Sequence, residues 1–158
     1  MSKSKYIDIS SVVQVIGNIF NNPNILDMDE KYFFTEEDFT EEFHRIIFGS
    51  IYNLHQLGAK EISIAAIEDY LEQRPKKLAT YKTYKGAEYL ARCSEGAKFS
   101  AFDYYYNRMK KMTLFRAYQE IAGMDLAWLY DPDNILDAKK KQQQEDWLDN
   151  TSLDNIAN

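Results

Sequence analysis

Cysteine is almost missing from this chain: Cys93 stands alone. No internal disulfide framework can form, and no zinc-ligand spacing exists. A reducing, cytoplasmic setting is the natural expectation. Histidine is nearly as scarce. His44 and His55 are the two present, and eleven residues of helix would part them by about 16 Å. They cannot share a metal. With 3 Pro and 6 Gly, helices joined by short turns are favoured over a loop-rich fold. No apolar run approaches the roughly 20 residues that span a bilayer. The polar stretch Met1–Asp8 has no signal-peptide core. The net charge of −6 disfavours general attraction to phosphate backbones, local basic patches aside.

Chemical signatures are missing too. Neither Gly-x-x-x-x-Gly-Lys-Ser/Thr nor Gly-x-Gly-x-x-Gly occurs, nor does a Gly-x-Ser-x-Gly elbow. The acidic runs at 27–30 and 36–42 lack the glycine and terminal glutamate of a calcium loop. They read as helix N-terminal charge. His44 reads as a packed or half-exposed residue, and Cys93 as a packed thiol. No catalytic group, cofactor or metal site is expected in this chain.

What is abundant is aromatic: 12 Tyr, 9 Phe and 2 Trp in 158 residues. That supplies a core with material left for an interface. Val12, Val13, Ile16, Ile19 and Phe20 follow helical spacing after Ser10 or Ser11, up to Asn22-Pro23. A brief turn is expected near 24–28, and Thr35 before Glu36, Glu37 and Asp38 marks a cap or tight turn. Phe43, Ile46, Ile47, Ile51 and Leu54 form a helical stripe stopped by Gly58. Ser63 opens another helix, with Pro75 beyond its end. Residues 74–85 read as a loop running into a helix over roughly 85–93. A long helix is expected over about 99–129, followed after Asp131-Pro132 by a largely polar helix to about Leu148.

The expected fold is all-α. A disordered N-terminus (1–8) leads to a globular multi-helix bundle (9–97), then an antiparallel helical hairpin (98–149). Residues 150–158 begin a linker. The hairpin pairs a greasy helix with a polar one, which predicts uncovered apolar surface and hence protein contact. Its expected interface residues are Tyr105, Met109, Met112, Leu114, Phe115, Tyr118 and Trp128. A second candidate surface is the basic, tyrosine-containing segment Arg74, Lys76, Lys77, Tyr81, Lys82, Tyr84 and Lys85. It could hold single-stranded nucleic acid by phosphate contact and stacking. The plainer reading is a solvated loop whose tyrosines pack inward.

One family resemblance joins these pieces. Phe43-His44-Arg45-Ile46-Ile47-Phe48, continuing through Ile51, Leu54, His55 and Gly58, resembles the "His-Arg-x-Ile-Phe … Leu-His … Gly" helix of DnaB-type helicase N-terminal domains. Val13 to Leu26 resembles that family's first helix, with Asn22-Pro23 as its closing turn. Tyr104-Tyr105-Tyr106, Leu114, Arg116 and Tyr130-Asp131-Pro132 resemble its hairpin. The family's Glu-x-Glu-x-x-Val-Leu-Gly opening keeps only its end, Ile16-Gly17, and segment 72–86 is unusually basic. These departures fit a divergent member, phage-encoded or from a low-GC bacterium.

The resemblance implies a collar domain that pairs through its hairpin, with three pairs forming a ring above ATPase motors. It implies primase and helicase loader as partners, and DNA contacted indirectly through the ring. ATP and magnesium would belong to a motor domain beyond Asn158, where a Gly-x-x-x-x-Gly-Lys-Ser/Thr motif is expected. A free-standing replication adaptor is the alternative.

Overall fold

The computed structural model describes residues 7–122, with side chains described to residue 118. Among them there are helices and turns and no strand, so the all-α expectation holds. The chain divides into two compact units. One is the continuous stretch 12–102; the other joins residues 1–11 to 103–158.

In the continuous unit, α1 (Ile9–Asn21) buries Val12, Val15, Ile16 and Ile19 at helical spacing. A 3-10 turn, Pro23–Asp27, follows, and Thr35 opens a second over Glu36–Asp38. There the Thr35 amide donates to the Asp38 carboxylate at 2.9 Å, a capping box in miniature. Helix α2 (Glu42–Gln56) buries Phe43, Ile46, Ile47 and Ile51. It ends as its glycine predicts: Gly58 has φ 98°, its amide donates to the His55 carbonyl, and the Ala59 amide donates to that of Leu54. This pair of bonds is a Schellman motif.

Helix α3 (Ile64–Glu72) is capped by Ser63, whose Oγ accepts from the Ala66 amide at 3.0 Å. The next element corrects the expectation of a loop. Residues Pro75–Thr83 form helix α4, with Pro75 as its first residue. A proline that ends one helix is equally suited to begin the next, because its fixed φ is helical and its missing amide would be unpaired there. Helix α5 (Gly86–Gly96) completes this unit's helices, followed by a 3-10 turn at Phe99–Ala101.

A polar seam joins α1 to α5. Gln14, Asn18 and Asn21 lie at i, i+4 and i+7 and meet the C-terminal end of α5. The Gln14 amide donates to the Gly96 carbonyl at 2.8 Å, and that of Asn21 to the Ser94 carbonyl at 3.0 Å. The Gln14 Oε1 accepts from the Lys98 amide at 3.1 Å. These side chains satisfy carbonyls that a helix end leaves without intrahelical partners. Gly17 sits among them because the helices approach too closely for a Cβ. One built there would overlap the Cys93 carbonyl and lie 2.9 Å from the Ala97 Cβ.

In the other unit, α6 (Phe102–Ala122) carries most of the described residues. Residues 108–112 are buried in succession, Arg108, Lys110 and Lys111 included. Five residues exceed one helical turn, so burial at that level is not confined to one face of α6. Asp8 meets it from the far end of the sequence. The Asp8 carboxylate accepts from the Ser11 amide and hydroxyl, capping the first turn of α1. It also accepts from the Arg108 Nε at 2.8 Å, with both side chains largely buried. Asp8 is therefore an anchored residue, although the sequence placed it at the edge of a disordered N-terminus.

Two glycines separate packing from propensity. Gly17→Ala should cost about 2 kcal/mol, because backbone atoms on α5 must move. Gly49→Ala in α2 meets nothing within 4 Å and should gain roughly 0.5–1 kcal/mol from helix propensity. Urea denaturation decides; equal signs for the two would contradict the packing account. Asp8→Asn should cost about 1 kcal/mol or more by removing the charge from a largely buried, charge-assisted hydrogen bond. A double-mutant cycle with Arg108→Met should show coupling, whereas additive losses would mean the pair contributes nothing.

Candidate functional site

Among the described residues no cluster of His, Cys, Asp or Glu could hold a metal ion. The two histidines serve structure. His44 is buried against the rings of Phe43 and Tyr89, with the Glu41 carboxylate 3.6 Å from its Nδ1. Burial pulls its pKa below the ordinary value of 6.5, partly opposed by Glu41. His55 bonds Asp27 at 2.9 Å, tying the end of α2 to the first 3-10 turn. Cys93 is buried, and burial pushes its thiol pKa up. A thiol so placed is a poor nucleophile. What remains is surface.

The first candidate surface is on α6. Met109, Met112 and Phe115 are all buried within their own chain, Phe115 completely. Buried in this way, they offer little surface to a second copy, contrary to their expected place in a subunit interface. Tyr105, Leu114 and Tyr118 keep partial exposure, and Tyr104 is 48% exposed. Leu114 and Tyr118 are four residues apart and share a face. Trp128 and the second hairpin helix lie outside the described residues.

The second surface is the α4–α5 corner. Tyr81, one of its expected stacking rings, is buried, with its hydroxyl on Glu68 at 3.1 Å. Burial raises its pKa, and Glu68 adds to the rise. Arg74 is also engaged: its Nη1 donates to the Tyr70 carbonyl at 2.9 Å and its guanidinium lies over the Tyr70 ring. It finishes α3. These two residues leave the nucleic-acid set, because each is already occupied within the fold. Lys76, Lys77, Lys82, Tyr84 and Lys85 are exposed.

Sequence reasoning missed two features. One is a groove of about 360 Å³ lined by Phe34, Phe39, Phe48, Tyr52, Arg45 and Asn53 among others. Its rings come from different elements, so no single periodicity marks it. The other is the Asp8–Arg108 pair, separated by 100 residues.

The family model described as "DnaB-like helicase N terminal domain" matches residues 5–111. That interval holds α1 to α5 and the first half of α6. The chain is 32% identical over 149 residues to the SPbeta prophage-derived uncharacterized protein YorI of Bacillus subtilis (strain 168). The alignment covers 94% of this chain and 29% of that protein, so the chain spans less than a third of the relative's length. No solved structure matches the chain. Among the described residues no helix is long and apolar enough to cross a membrane.

The buried histidine sets a pH dependence. The native pKa of His44 is depressed, so below about 6.5 the unfolded chain takes up a proton that the native chain does not. Stability should therefore fall as pH drops from 6.5, and the loss should level off once the native pKa is passed. Melting temperatures of wild type and His44→Gln, measured between pH 7.5 and 5, check this. The variant should have the shallower slope; equal slopes would clear His44 of the effect.

Proposed function

Because the chain belongs to the DnaB-like helicase N-terminal domain family, we propose that it is the non-catalytic oligomerisation and partner-docking domain of a hexameric replicative DNA helicase. The match across residues 5–111 carries this reading. The domain would pair with a second copy through the hairpin that α6 begins, and three such pairs would form a cytoplasmic collar. Primase and a helicase loader are its expected protein partners. DNA would be met indirectly, through the ring. ATP and magnesium would act in a motor domain of the same polypeptide. A prophage protein among the relatives supports a phage-type replication system.

The physical support is the chemistry that the described residues offer. Among them no group of His, Cys, Asp and Glu could hold a metal ion. They do present half-exposed tyrosine and leucine on α6. Large side chains that keep an apolar face in water commonly anchor protein contacts. Tyr105, Leu114 and Tyr118 are therefore the proposed contact residues. Phe115 is not among them, because it is fully buried within its own chain.

Light scattering across a concentration series tests the reading. The chain should form dimers or higher assemblies, and Leu114→Asp combined with Tyr118→Asp should shift it toward monomer with little change in melting temperature. A strict monomer at the highest soluble concentration would sink the proposal. Loss of folding in the double variant would return those residues to the core.

A further inference from the structure

We propose that the α4–α5 corner is a binding site for single-stranded nucleic acid, with Tyr84 as a base-stacking platform and Lys76, Lys77, Lys82 and Lys85 as its phosphate contacts. The inference is independent of self-assembly.

Three observations carry it. First, the charge is concentrated. Between Arg74 and Ala87 there is no carboxylate, although the whole chain carries −6. The four lysines are exposed, and among the described residues none of them is held in an ion pair. These side chains are left to solvent.

Second, Tyr84 is both exposed and held. It is 61% exposed, yet its ring lies 5.3 Å from that of Phe43, at 33°. Phe43 in turn packs edge-on against Tyr89 at 5.1 Å. The phenol is thus braced from behind while much of its surface faces water. A ring fixed in this way loses little freedom when a base stacks on it. Along α4, Lys77 and Tyr84 lie two turns apart on one flank, about 10 Å along the axis, with Lys76 beside them.

Third, Lys85 takes the left-handed backbone conformation, φ 55°. That conformation costs a non-glycine residue roughly 1 kcal/mol, yet a cation stands there. It joins α4 to α5 and places the fourth positive charge directly after Tyr84 in the sequence.

A single strand fits these groups better than a duplex. Duplex backbone would use the lysines and leave Tyr84 idle, because its bases are already stacked. An unpaired base offers a free face, and stacking on an aromatic side chain tolerates any sequence.

The test is fluorescence anisotropy of a labelled oligothymidylate with the full 158-residue chain, at low and rising salt. Log affinity should fall against log salt with a slope of about −3, for four phosphates neutralised. Tyr84→Ala should weaken binding roughly tenfold, and Tyr84→Phe should restore it. Lys77→Glu with Lys85→Glu should weaken it roughly tenfold or more and flatten the salt slope. Lys60→Glu, an exposed lysine outside the corner, should leave it within about twofold, since screening limits distant charges. Melting temperatures separate lost folding from lost contact. No binding at low salt overturns the proposal, as does equal or tighter binding of duplex or of poly-glutamate. An unchanged affinity in Tyr84→Ala overturns the stacking role.

Discussion

The contact on which the larger unit depends is the close approach of α1 to the C-terminal end of α5. Two helices this near need a residue with no side chain at the crossing, and Gly17 provides it. They also need partners for the carbonyls that the end of α5 leaves open, which Gln14 and Asn21 supply. Packing and polar satisfaction are met on one face of one helix. Everything attached to α5 inherits that placement: Cys93 is held in the core, and Tyr89 reaches the rings of Phe43 and His44.

Around that crossing the aromatic residues divide their work. Some fill the interior, such as Phe39 and Tyr81. Others bridge elements edge to face, as Tyr32 does against Phe102 at 4.8 Å. A third set remains outside but braced, and Tyr84 is its clearest case. The aromatic surplus of the sequence is therefore partly core, partly joint and partly surface. Composition alone cannot apportion it. Tyr81 and Tyr84 are the same residue type three positions apart, yet Tyr81 is buried inside α4 while Tyr84, just past its last residue, is exposed.

Much of the architecture was legible because local signals agreed with each other. Ser63 and Gly58 announced the ends of their helices, and the stripe from Phe43 to Leu54 announced its buried face. Helix α4 was not legible as a helix, because its three lysines, with Arg74 before it and Lys85 after it, resemble a solvated loop. Pro75 was the available clue, read as a stop when it was also a start. The buried state of Met109, Met112 and Phe115 escaped for a different reason. Periodicity says which face of a helix is apolar, but not whether the same chain covers it. The seam residues Gln14, Asn18 and Asn21 were invisible in principle, since their partners lie more than 70 residues away.

The unit around α6 is built from both ends of the described chain, with Asp8 and Arg108 as its fastening. A ribosome delivers the chain from one end only. Residues 12–102 are continuous and can assemble as they emerge. The cap on α1 can likewise form early, since Asp8 and Ser11 are neighbours. The ion pair must wait for Arg108, so Asp8 spends the synthesis of 100 residues without its cation. Vectorial synthesis therefore imposes an order on this domain: the continuous unit first, the discontinuous one last.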